Sequence, residues 1–226
     1  NAIATCISTR SITPKNAILM ATVFNFLGVL VMTMFNATVA QTIYKMVDFG
    51  GNAHNSLVAL CAALVAIVLW ATTAWYFGIP TSESHALIAR ISGAAIAVQR
   101  GFSGINPDEW VKVIYGLFLS TIIGFGLGYV VVKLIGFLFR KADKRKTRAL
   151  FSKAQVAGGA AMAFMHGAQD GQKFMGVFLL GIFLARGEGS ADSFVIPIWL
   201  MILCSAIMAL GTSIGGLRII KTVGLG

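Results

Sequence analysis

The sequence predicts an all-α polytopic membrane protein, and three observations support this fold class. The 226-residue chain is 57% hydrophobic and only 12% charged, whereas soluble domains have about 25% charged residues. Four stretches of 20 or more residues lack Asp, Glu, Lys and Arg: 16–44, 49–82, 113–132 and 193–217. Each can hold a spanning helix, because a bilayer core about 30 Å thick needs about 20 helical residues. This composition excludes an ordinary cytosolic enzyme. The charges, formally +10 in total, lie between these stretches, which argues against a nucleic-acid partner.

The basic residues also predict the orientation. Residues 140–153 carry seven Lys and Arg against one Asp, which places this loop in the cytoplasm by the positive-inside rule. Counting spans in both directions then puts 99–112 and 187–192 outside. On this count the cytoplasmic loops and ends collect eleven basic residues and one acid.

Residues 79–98 form an apolar segment that is broken at its start by Pro80. We expect one helix to end near Gly78 and another to begin near Thr81, which makes 56–98 a helical hairpin. A helix N-terminus at membrane depth has free N–H groups and about half a positive charge, which binds oxyanions when hydroxyl groups such as Ser82 and Ser84 lie beside it. The alternative is a single Pro-kinked helix whose hydroxyls bond back to their own carbonyls.

Residues 154–185 are long enough to span the membrane but carry His166, Asp170 and Lys173 at their centre. Ionisable groups at this depth are costly and mark functional sites. Asp170 with the side-chain oxygens of Gln169 and Gln172, plus unwound backbone carbonyls, would suit a small hard cation such as Na⁺. Alternatively, Lys173 neutralises Asp170 in a structural ion pair. A zinc site at His85 and His166 is not supported, because no paired ligand spacing accompanies them.

Four separated motifs in order resemble the inorganic phosphate transporter family, the Pi permeases, which also include sulfate permeases. Residues 78–85, G-I-P-T-S-E-S-H, are similar to the hairpin signature G-x-P-x-S-T-T-H, and 166–173, H-G-A-Q-D-G-Q-K, to the second-half signature H-G-A-N-D-x-Q-K. Residues 1–5 look like the end of the first-half signature. Residues 211–216 with Arg218 and Lys221 resemble the stretch G-T-x-I-G-G-x-R-x-I-K.

This resemblance implies an inverted-repeat transporter with broken helices and a helical hairpin. Residues 1–139 would be the first repeat with its N-terminal part missing, 140–153 the cytoplasmic loop, and 154–226 the start of a second repeat without its hairpin. It implies uptake of phosphate by alternating access in a multi-pass plasma-membrane protein within the lipid bilayer. A homodimer is expected, with no cofactor beyond Na⁺ or H⁺ as the coupling ion.

The resemblance also assigns roles to individual residues. The oxyanion would be held by hydroxyl, amide, carboxyl and ammonium groups of both signatures: Thr81, Ser82, Ser84, Gln169, Asp170, Asn1 and Lys173. The coupling ion would be bound by oxygen ligands, with Asp170 as the Na⁺ ligand: Asp170, Gln169, Gln172, Glu83 and Asn1. Two residues depart from the family pattern, because Glu83 replaces a hydroxyl and Gln169 replaces Asn. Glu83 beside an oxyanion must be protonated or hold a cation, and we favour the protonated form.

Three other functions remain open from the sequence. A sulfate permease would use the same neutral donors on a second tetrahedral oxyanion. A membrane scaffold without transport activity would account for the absent second hairpin. An intramembrane enzyme would employ Asp170 with His85 and His166, although the sequence favours a protein that is not an enzyme.

Overall fold

The computed structural model describes residues 3–50, 52–79, 81–186 and 195–224, with the side chains of 144, 146 and 217–224 excluded. Eight α-helices make up almost all of this described part, joined by a 3₁₀ turn at Phe102–Gly104 and one antiparallel bridge between Val47 and Ile105. In chain order they are α1 Ala4–Ser8, α2 Pro14–Phe35, α3 Thr38–Lys45, α4 Ala53–Phe77, α5 Glu83–Gln99, α6 Pro107–Leu138, α7 Lys144–Arg186 and α8 Ile198–Gly224.

Four helical segments are long and apolar enough to cross a membrane: α2, α4, α6 and the Ile198–Gly216 part of α8. Each overlaps one of the four charge-free stretches of the sequence. The predicted all-α multi-pass membrane fold is therefore confirmed. The loop 187–192, expected outside, lies beyond the described residues, as does Asn1.

The first apolar stretch is not one helix. α2 ends at Phe35, and Asn36 adopts an extended conformation with φ −153° and ψ 114°. Its side-chain Oδ1 accepts hydrogen bonds from the backbone N–H of Thr38 at 2.9 Å and from the Thr38 hydroxyl at 2.5 Å. A short polar side chain can thus replace helical backbone bonds with local ones, and the chain restarts as α3.

The expected helical break at Gly78 is present, so the alternative of one continuous Pro-kinked helix is wrong. Gly78 has a left-handed φ of 70°, and its N–H donates to Trp75 O, which terminates α4. At the start of α5 the Ser82 hydroxyl accepts a hydrogen bond from the His85 N–H at 3.4 Å. Hydroxyl caps and a left-handed glycine are the ordinary end signals of helices. α4 and α5 pack against each other as two arms of a hairpin.

α7 differs most from expectation. Its 43 residues, Lys144–Arg186, run without interruption through the signature 166–173. The prediction of unwound carbonyls near Asp170 is wrong for this conformation, because a continuous helix uses its carbonyls in i→i+4 bonds. Only residues 139–143 lie between α6 and α7, so residues 144–153 of the predicted cytoplasmic segment 140–153 are helical. At about 1.5 Å per residue, α7 is far longer than a bilayer core is thick.

Glycines let α7 lie directly against α2. A Cβ on Gly167 would stand 2.6 Å from Asn25 Cα, and one on Gly171 would stand 2.5 Å from both methyl carbons of Val29. These two glycines are one turn apart and face α2 together. Small residues permit such close backbone contact between membrane helices. This crossing fixes the side of α7 that faces the hairpin.

Candidate functional site

The tip of the hairpin meets the signature segment of α7. Lys173 Nζ donates a hydrogen bond to Ser84 Oγ, although 89 positions separate the two residues. A buried apolar face on each helix lies next to this contact. On α5, Leu87, Ile91 and Ala95 are buried on the face that Ser84 begins, and on α7, Val177 and Leu180 are buried in the same apolar cluster on the face that Lys173 begins. α4 contributes to the same cluster and packs against both α5 and α7. This shared apolar cluster therefore holds the two helices so that the polar pair lies at its end.

Asp170 is flanked by two nitrogens. Lys173 Nζ donates to its Oδ1 at 2.8 Å, and His166 Nδ1 lies 3.3 Å from its Oδ2. The side chains of Lys173 and Asp170 are only 15% and 14% exposed, whereas that of His166 is 54% exposed. In this conformation the carboxylate is paired with lysine, which is the ion-pair alternative left open by the sequence.

Glu83 brings a second carboxylate to the same place. It is the first residue of α5 and half-buried. Its carboxylate lies within electrostatic range of both Asp170 and Arg90. The two carboxylates are therefore accompanied by two cationic side chains, Lys173 beside Asp170 and Arg90 near Glu83. Carboxylate oxygens are hard ligands of the kind that suit a small cation.

The remaining predicted cation ligands do not join this cluster. Gln172 is buried, and its Nε2 donates to the Asn36 carbonyl at 2.7 Å, at the corner between α2 and α3. Its Oε1 has no hydrogen-bond partner within the described part of the chain. Gln169 is exposed on α7. Because α7 stays helical, consecutive side chains point in different directions around its axis. The predicted cation ligands Gln169, Asp170 and Gln172 therefore do not face one common site.

The two hairpin serines, Ser82 and Ser84, also have different surroundings. Ser82 and Thr81 line an open cavity of about 340 Å³ together with Trp70, His85 and Arg90, whereas Ser84 does not line it. Arg90 lies over the Trp70 ring at 5.3 Å from its centroid, and its Nη1 donates to the Ala86 carbonyl. Sequence reasoning gave Arg90 no role, although an arginine at membrane depth is itself a signal of function.

Comparison with known proteins identifies relatives of the whole chain. A family profile described as the phosphate transporter family matches residues 1–148 and 139–226. A probable low-affinity inorganic phosphate transporter of Bacillus subtilis is 41% identical over 99% of this chain and 65% of its own length. One from Rhizobium meliloti is 35% identical with the same coverage. A third, from Streptomyces halstedii, is 39% identical over 75% of this chain and 76% of its own length. The chain thus spans just under two thirds of the first two relatives.

One solved structure, described as a sodium-dependent phosphate transporter, has the same fold. It superimposes with a TM-score of 0.80 and 20% identity, covering 99% of this chain and 72% of that protein. At this level of identity the similarity concerns the fold alone.

Proposed function

Because the chain belongs to the phosphate transporter family, we propose that it moves inorganic phosphate across the cell membrane by alternating access, coupled to Na⁺. Its multi-pass helical fold and relatives named as transporters support this function rather than an enzyme. The observation that carries the proposal is the hydrogen bond between Lys173 and Ser84. This contact brings the two signature motifs together, which supports a shared site.

The oxyanion would bind where the first turn of α5 faces α7. The α5 N-terminus offers free backbone N–H groups and the positive end of the helix dipole. The Ser84 hydroxyl and the Lys173 ammonium lie on the α7 side of this terminus. Hydroxyl, N–H and ammonium donors together suit a tetrahedral oxyanion with several acceptor oxygens.

The coupling ion would bind between Asp170 and Glu83, whose carboxylates lie within electrostatic range of each other. Carboxylate oxygens are the hard ligands that such an ion requires. In this role Glu83 is ionised and holds a cation, which is the opposite of the protonated form favoured from the sequence. Coupling to H⁺ through Glu83 is the competing outcome.

Alternating access would separate the hairpin from the α2–α7 body. The hairpin tip meets α7 through the Ser84–Lys173 hydrogen bond, while glycines pack α7 closely on α2. The α2–α7 crossing would therefore stay fixed, and the polar contact at the tip would open and close around the ligands.

Equilibrium binding of ³²P-labelled phosphate to the purified protein tests the site. Ser84→Ala removes one hydrogen bond to a charged ligand, which is worth about 1.5–3 kcal/mol, so we expect phosphate affinity to fall by about tenfold or more. The matched control is Ser120→Ala, because the Ser120 hydroxyl bonds only to the Leu117 carbonyl within α6 among the described residues. Equal affinity of the two variants would contradict the assignment, and competition by unlabelled sulfate would measure selectivity.

A further inference from the structure

We propose that Lys173 is an exchangeable counter-ion: it neutralises Asp170 while the cation site is empty and turns to the bound oxyanion when Na⁺ takes its place. This inference rests on the phosphate transport proposed above. It explains how two ligands of opposite charge are coupled within one site.

The geometry of the Lys173 ammonium supports an exchange. Nζ contacts Asp170 Oδ1 at 2.8 Å and also Ser84 Oγ. An ammonium has three N–H donors, so Lys173 can keep its bond to Ser84 while it exchanges Asp170 for another acceptor. Because Ser84 lies in the first turn of α5, which would receive the oxyanion, the new acceptor is within reach of the same ammonium.

Competition for Asp170 gives the exchange its direction. Arg90 also acts electrostatically on Glu83, so the two carboxylates and the two cationic side chains balance each other when all are charged. An oxyanion that arrives alone must compete with Asp170 for the Lys173 ammonium. A bound Na⁺ takes over Asp170, which releases Lys173. The two ligands then strengthen each other's binding, and this effect is reciprocal.

The alternative is that Lys173 and Asp170 form a permanent structural pair. The two accounts make opposite predictions about the cation. A competing counter-ion weakens Na⁺ binding, so its removal tightens Na⁺ binding. A structural pair holds the carboxylate in position, so its removal weakens Na⁺ binding or leaves it unchanged.

A second ion pair of the same spacing provides the control. Lys112 Nζ lies 2.7 Å from Glu109 Oε1, also at i,i+3 on a helix, but at the start of α6. The Lys112 side chain is 62% exposed, against 15% for Lys173. Lys112→Met therefore removes a comparable charge pair away from the hairpin tip.

The experiment measures ²²Na⁺ binding to the purified protein without phosphate. We expect Lys173→Met to bind Na⁺ at least about fivefold tighter than the wild type, the lower end of the usual range of ligand coupling. Lys112→Met should bind as the wild type does. Lys173→Arg should bind Na⁺ more weakly than the wild type, because arginine pairs with a carboxylate through two donors. The proposed exchange requires Na⁺ affinity to fall in the order Met, Lys, Arg at position 173, and any other order overturns it. If Lys173→Met does not fold, the comparison of Lys173→Arg with the wild type still tests the exchange.

Adding phosphate distinguishes a failure of the counter-ion exchange from a failure of the proposed phosphate transport. In the wild type, phosphate should tighten Na⁺ binding, and in Lys173→Met this effect should disappear. If phosphate leaves wild-type Na⁺ binding unchanged while the order of the three residues holds, the transported anion is wrong and the counter-ion exchange stands. If phosphate tightens Na⁺ binding equally in wild type and Lys173→Met, the exchange is wrong and phosphate remains the ligand.

Discussion

Gly167→Ala should destabilise the protein by forcing α2 and α7 apart. The added methyl carbon would lie 2.6 Å from Asn25 Cα and 2.8 Å from Asn25 C. Both atoms belong to the backbone, so no side chain can rotate away to make room. Relief needs a helix shift of about 1 Å to reach ordinary van der Waals separation.

The expected magnitude follows from two opposing terms. Overpacking in a close contact costs about 1–3 kcal/mol, and more when backbone must move. Ala in place of Gly in a helix gains about 1 kcal/mol. We therefore expect a net loss at Gly167 that is smaller than the clash alone, with a melting temperature lower by several degrees, at about 2–4 °C per kcal/mol.

The assay is thermal unfolding of the purified protein in detergent, with Gly158→Ala as the control. A Cβ on Gly158 meets no other atom within 4 Å, so this variant should keep or raise the melting temperature. Gly167 lies one turn before Asp170, so phosphate affinity should also fall in Gly167→Ala. Equal melting temperatures for the two variants would refute the close crossing of α2 and α7.

Three further predictions concern the site and the topology. Asp170→Asn keeps the side-chain shape and removes its charge, so Na⁺-driven uptake should fall by at least about tenfold; uptake with the original Na⁺ dependence would favour a structural role. Glu83→Thr restores the family pattern and should weaken the dependence of uptake on Na⁺ concentration; an altered pH profile with unchanged Na⁺ dependence would instead identify Glu83 as a proton carrier. In a cysteine-free background, an impermeant thiol reagent should label Ser103→Cys from outside and Lys141→Cys only after permeabilisation, and reversed labelling would overturn the topology.

The hairpin was predictable because its signals are local. Gly78 can adopt a left-handed conformation without strain, and Ser82 supplies a hydroxyl cap. Both features act within a few residues, so the sequence shows them directly. The four long apolar helices were predictable for a similar reason, since bilayer thickness sets their minimum length.

The continuity of α7 and the division of its polar residues were not predictable in the same way. A Gly-rich segment with a central Asp is compatible with unwinding or with close packing, and only the approach of Asn25 and Val29 decides for packing. Gln172 turns towards the carbonyl of Asn36, a partner 136 positions away. The break at Asn36 lacks Gly or Pro, and its Asx hydrogen bonds became visible only in the structure.

Concentrative uptake tests the central claim most directly. The protein would be reconstituted into proteoliposomes with ³²P-labelled phosphate outside, and an inward Na⁺ gradient would be imposed with and without a proton gradient. The account predicts that the Na⁺ gradient alone drives phosphate inside above its external concentration, and that Ser84→Ala reduces this accumulation while Ser120→Ala does not. Phosphate that never exceeds its external concentration, or accumulates only with the proton gradient, would contradict Na⁺-coupled transport at this site.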